Sequence, residues 1–179
     1  VSQKKPPRKE ASHDREVAIF LDEFTKESDR GAALVAASQL DELLRAILKA
    51  FFVESKISTE LLDSFNAPIG SFSSRIAVAY ALGLIQKDEF DEITLIRKIR
   101  NEFSHKWKGA TFNSSPIRDF CNSLQLLGSF GAKEAPRARF YVAVMILFSD
   151  LLSRDQLVSK ERRTAGIWPN RARDKARGK

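Results

Sequence analysis

Between Ser28 and Phe52, apolar side chains recur at steps of three and four residues: Leu34, Ala37, Leu40, Leu44, Ile47, Leu48 and Phe51. Such steps keep side chains on one side of a 3.6-residue turn and would scatter them over both faces of a strand. The stretch is therefore predicted to be a long amphipathic helix, capped by Ser28 or Asp29. Nowhere does the chain alternate apolar and polar residues long enough to build a sheet. The fold class that follows is all-α.

The remaining elements follow by the same periodicity. A first helix is predicted from about Asp14 to Lys26, with Val17, Phe20, Leu21 and Phe24 on one face. A short helix is expected near Ser58–Phe65, then a turn at Asn66-Ala67-Pro68-Ile69-Gly70. Ser71 can cap the next helix, which carries Ile76, Ala77, Tyr80 and Ala81, and Gly83 fits its stop. Another helix is expected from near Asp88 to about Lys106. After a loop from Lys108 to Ser115, Pro116 suits the first turn of a helix near 116–127. Gly128 to Pro136 is a second loop. The last helix is expected from Arg137 to about Ser159. Its run from Tyr141 to Phe148 is apolar all round, so it must be central or lie in a subunit interface. The architecture is a single-domain bundle of about six or seven helices, with a surface for a homodimer.

A chain of 179 residues is long enough to bury a real core. Its net charge of +7 is carried by the ends. Residues 1–10 hold Lys4, Lys5, Arg8 and Lys9 against Glu10, a net of +3. Residues 160–179 hold eight cations against Glu161 and Asp174, a net of +6, which leaves −2 for residues 11–159. The organisation expected is a flexible basic segment over 1–13, a helical domain over 14–159 and a basic tail over 160–179. Arg162, Arg163, Arg171 and Arg173 are candidates for sequence-independent contact with nucleic acid phosphates. The competing reading is a solvated end that keeps the protein soluble.

The longest apolar run, Phe140 to Phe148, is far too short to span a membrane. The N-terminal residues have charge but no apolar stretch after them, unlike a secretory signal. The single cysteine, Cys121, excludes an internal disulfide framework and a multi-Cys zinc site. A cytoplasmic location is expected. There is no glycine-rich phosphate loop, nucleophile elbow or His-x-x-x-His spacing, so neither a cofactor nor a metal is expected.

One segment carries the parts of a metal-free ribonuclease: Arg100-Asn101-Glu102-Phe103-Ser104-His105. His105 can move a proton at a 2′-hydroxyl or a leaving oxygen. Arg100 can stabilise charge on the phosphorane, and Asn101 can fix the phosphate or orient the imidazole. On a regular helix, however, Arg100 and His105 lie roughly 140° apart. They meet only if the helix ends, kinks or pairs with a second copy. The competing reading has His105 at a helix C-terminus, where a cation is favoured, and Arg100 paired with Asp41 or Glu42.

A second group comprises Asp29, Arg30, Asp41 and Arg75, candidates for a partner or ligand surface. Asp41 and Arg45 are spaced as an i, i+4 ion pair, although Asp41 can instead face Arg75 or Arg100. A DNA-reading helix-turn-helix would need an exposed polar recognition face. The nearest candidate, Ser58–Phe65 followed by Ser71–Gly83, has a second helix too apolar for that role.

Several stretches, taken in order, resemble the mannitol operon repressor family. They are Ser28-Asp29-Arg30-Gly31-Ala32-Ala33-Leu34-Val35, Leu40-Asp41-Glu42-Leu43-Leu44, Pro68-Ile69-Gly70-Ser71-Phe72-Ser73-Ser74-Arg75-Ile76, Ala79 to Ile85, and Ile96 to His105. The resemblance spans roughly residues 15–158 and leaves the basic ends outside. It implies an all-helical protein linked to transcriptional repression in bacteria, without a recognised DNA-binding motif and acting through a protein partner. Arg100, Asn101 and His105 also resemble the Arg-x(4–6)-His motif of HEPN domains, small helical bundles that often dimerise. That likeness implies, as the alternative, a metal-independent endoribonuclease with a composite site across a dimer.

Overall fold

The computed structural model describes residues 8–106, 108–125, 128, 134–166 and 168, with side chains described from His13 onward. Its helices are α1 (Arg8–Lys26), α2 (Asp29–Phe51), α3 (Lys56–Asp63), α4 (Phe72–Ala81), α5 (Lys87–His105), α6 (Ile117–Asn122), α7 (Pro136–Leu152) and α8 (Arg154–Val158). A 3-10 turn, Ser159–Glu161, follows α8. Among the described residues there is no strand.

The hub is α2, which packs against α1, α3, α4, α5, α7 and α8. Ser28 caps it, its hydroxyl accepting from the Gly31 N–H at 3.1 Å. Its first two turns bury Ala32, Ala33, Ala36 and Ala37, whose small side chains let neighbouring helices approach closely. Leu40, Leu44, Ile47 and Leu48 continue the buried face. Leu34, expected in the apolar stripe, is 41% exposed. The alanines rotate the buried face away from it.

Opposite α2, helix α5 buries Ile93, Ile96, Ile99 and Phe103. Helix α7 buries Phe140, Ala143, Val144, Leu147, Phe148 and Leu151. It is thus central on one face, while Val142 stands 40% exposed on the other. Aromatic rings stitch the elements together. Phe20 of α1 stacks on Phe148 of α7 at 4.2 Å, and Phe112 meets Phe140 at 4.9 Å and Phe103 at 5.2 Å.

Three boundaries differ from the sequence expectation. Helix α1 begins at Arg8 rather than Asp14, so the expected flexible segment is helical over its last residues. His13 is held there, its Nε2 lying 3.1 Å from the Ser149 carbonyl oxygen. Helix α6 stops at Asn122, because the buried Arg139 guanidinium bonds the carbonyls of Cys121, Asn122 and Leu124. The last helix breaks at Ser153, and α8 turns back onto α2. The Arg154 guanidinium, 2.7 Å from the buried Glu89 Oε2 at the start of α5, fixes that turn.

The α3–α4 pair is held onto the bundle through α4. Helix α4 buries Phe72, Arg75, Ile76 and Ala79 against the bundle. Among the described residues no helix is long and apolar enough to cross a membrane.

Candidate functional site

Two polar clusters decorate α2, and both use residues picked out from the sequence. The first gathers at the N-terminal end of α2. Asp29 accepts from the Phe112 N–H at 3.0 Å through Oδ2 and from Arg137 Nη1 at 2.5 Å through Oδ1. Arg137 Nη2 also donates to the Glu27 carbonyl and to Tyr141 Oη, each at 2.6 Å. Arg30 Nη2 donates to the Lys106 carbonyl just past α5. Two adjacent residues therefore tie the start of α2 to α7, to the loop after α5 and to the end of α5. An acid in the first helical turn also complements the helix dipole.

The second cluster lies along the middle of α2. Arg75, only 8% exposed, donates from Nε to the Ile69 carbonyl and from Nη2 to the Leu62 carbonyl, each at 3.1 Å. Its Nη1 sits 2.9 Å from Asp41 Oδ1, but the N–H bonds do not aim at that oxygen. The contact is a Coulombic pair without a well-directed hydrogen bond. Burial pushes the Asp41 carboxyl above its usual range, against the opposing pull of Arg75 and Arg100.

Asp41 does not form the i, i+4 pair with Arg45. Arg45 instead grips Asp63 of α3 with Nε at 2.5 Å and Nη2 at 2.7 Å, and reaches Glu42 at 2.8 Å. Two carboxylate oxygens within reach of one planar fork outcompete a single contact along the helix. The hydrogen bond from Arg45 holds the Asp63 carboxyl below its usual range. Arg75 and Arg45 thus fix α3 and the turn after it to α2. Arg75 is a buried fastener and offers no open surface.

The Arg100–His105 segment runs as continuous helix to the end of α5. The Ser104 hydroxyl donates to the Arg100 carbonyl at 2.9 Å, as on a regular helix. Arg100 and Asn101 are half-buried and His105 is exposed in the last turn. Among the described residues the three share no side-chain hydrogen bond, and no kink brings Arg100 and His105 together within one copy. Cys121 offers no nucleophile: burial pushes its thiol up to about 12. Among the described residues no cluster of three or more His, Cys, Asp or Glu side chains could hold a metal ion.

Of the basic tail, Arg162 pairs with Glu54 at 3.3 Å, and the Arg163 N–H donates to the Phe51 carbonyl at 2.8 Å. The tail therefore begins stitched to the end of α2. Arg171 and Arg173 lie outside the described residues. Sequence reasoning missed Arg137 and Arg139. Arg137 stands 108 positions from Asp29, and the Arg139 partners are backbone carbonyls, so no local pattern announces either.

The geometry defines an all-helical bundle whose elements are fastened by buried and half-buried charges, with α4 packed into the core. The chain belongs to the mannitol repressor family, which it matches over residues 16–157. No curated protein sequence matches it. A solved relative is a chain of the MtlR–HPr complex from Escherichia coli, at 20% identity and a TM-score of 0.57. The match covers 85% of this chain and 99% of that one, and at that identity it establishes the fold.

Proposed function

We propose that this protein is a cytoplasmic bacterial transcriptional regulator of the mannitol-repressor type, working as a homodimer through a protein partner. The family match over residues 16–157 carries the reading. A partner of the HPr kind is supported by the related Escherichia coli protein, which was solved as a complex with HPr. Action through a protein also agrees with the architecture, since α4, the candidate second helix of a helix-turn-helix, spends its apolar face on the core. The basic end could add weak phosphate contacts, but Arg162 already has an acidic partner. The ribonuclease alternative needs a second copy to complete its site, because Arg100 and His105 stand apart on one continuous helix.

The direct test is calorimetric titration of the protein with HPr from the same bacterium. Saturable one-to-one binding is the expected result. Absence of heat and of co-sedimentation at about 100 μM, a concentration that reveals even weak complexes, would remove HPr as the partner.

A further inference from the structure

Helices α1, α2 and α7 leave a groove of about 270 Å³ between them. Its floor is apolar and fixed. Phe20 of α1 stacks on Phe148 of α7 at 4.2 Å, and Leu43 of α2 lines the groove with them. Ile19 also lines it and is 51% exposed.

The rim is acidic. Glu16, Phe20 and Glu23 are spaced i, i+4 and i+7 on α1, so one helix face carries a carboxylate on either side of the buried ring. Nearby acids already have partners: Asp14 lies 3.8 Å from His13 Nδ1, and Asp22 pairs with Lys26 at 2.7 Å. Glu16 and Glu23 make no ion pair among the described residues. Among those residues no cation lines the groove either. Both charges are left for something that arrives from outside.

Size and charge together select the occupant. Cofactor and drug-sized sites run from roughly 300 Å³ upward, so this space suits one large side chain rather than a cofactor. Nucleic acid would bring phosphates against the two carboxylates. Two copies meeting across a two-fold axis through this face would set the acidic rim against itself. A protein segment with one large apolar side chain and a Lys or Arg on either side meets all three conditions. The apolar group covers Ile19 and Phe20, and the cations face Glu16 and Glu23. The stacked floor is ordered before anything docks, which lowers the entropic cost of binding.

We propose that the α1–α2–α7 groove is the docking face for a protein partner, receiving one large apolar side chain of that partner flanked by basic residues. The assignment rests on the partner-mediated function proposed above and locates it on the molecule.

Calorimetric titration of the full chain with HPr from the same bacterium tests it, using Ile19→Asp and Glu16→Lys/Glu23→Lys. Glu54→Lys/Glu60→Lys, beside α3, controls for the change in net charge. All these positions are exposed, and circular dichroism checks that each variant is folded. Each groove variant should weaken binding by about tenfold or more, as loss of an interface anchor does, and the control should stay within about twofold of wild type. Raising salt from about 50 to 500 mM should weaken wild-type binding, and should weaken the residual binding of Glu16→Lys/Glu23→Lys less steeply. Wild-type affinity in either groove variant, an equal loss in the control, or an unchanged salt slope overturns the groove and leaves the partner reading standing. Absence of binding by wild-type protein overturns both.

Discussion

Arg137 and Asp29, 108 positions apart in sequence, meet at 2.5 Å and join the first turn of α7 to the first turn of α2. Asp29 at the same time accepts the Phe112 N–H, so one carboxylate holds α7 and the loop after α5 in register with the hub helix. Asp29→Ala deletes both contacts and orphans the Phe112 amide. A loss of about 2 kcal/mol is expected, in the range for hydrogen bonds to a charged group. Urea unfolding measures it, and a change below about 0.5 kcal/mol would show the junction to be ornamental.

Arg75 should be less tolerant still. It is buried and joins Asp41, Leu62 and Ile69. Arg75→Ala strands two carbonyls and a half-buried carboxylate, and a cost of about 3–5 kcal/mol is expected. Thermal and urea denaturation should agree on it. Binding of HPr at low temperature by the still-folded fraction distinguishes a scaffold role from a direct contact: retained affinity is the expected outcome.

Asp63 and Asp41 should move stability in opposite directions with pH. The Asp63 carboxyl is held low by Arg45, so on acidification the unfolded chain binds its proton first. The stability from Asp63 is complete above the ordinary carboxylate value of about 3.9 and is lost as pH falls through the lower folded value. The Asp41 carboxyl is raised by burial, so the folded chain binds that proton first. Its contribution is greatest below the ordinary value and is lost as pH rises through the raised one. Against wild type, Asp63→Asn should flatten the acid limb, and Asp41→Asn should lessen the fall in stability on the less acidic side. Urea midpoints from about pH 2.5 to 7 test both, and three parallel curves would refute the assignment.

The Cys121 thiol, buried and pushed up to about 12, should resist Ellman's reagent in native protein near pH 8. Its labelling rate should then follow the fraction unfolded as urea is added. Fast labelling without denaturant would mean that the core around α6 opens locally.

RNA should survive incubation with the protein in EDTA, because α5 keeps Arg100 and His105 apart within one copy. Cleavage that vanishes in His105→Ala would instead reveal a site completed by a second copy.

Much of the helix plan is legible in the sequence where local chemistry sets it. Ser28 and Ser71 both cap the helices assigned to them, and Gly83 sits at a φ of 70° just past α4. The break at Ser153 is not legible, since no glycine or proline lies between Phe148 and Val158. It is imposed from outside by the ion pair of Arg154 with Glu89. The same divide runs through the polar clusters. Asp29, Arg30, Asp41 and Arg75 stand out as charges within or beside apolar helices. Their partners, Arg137, the Lys106 carbonyl and the Leu62 carbonyl, are set by packing between distant segments. Spacing therefore finds the charged residues but leaves Asp41 open between Arg45, Arg75 and Arg100, and the packing of α4 places Arg75 beside it.

Helix α2 touches six of the other seven helices. None of those six can peel away without uncovering part of the hub's apolar surface. The backbone amides from Ala36 to Leu48 should therefore exchange with deuterium only when the whole domain opens, and should report the global unfolding free energy. A bundle built around such an axle would answer a bound partner by moving as one body.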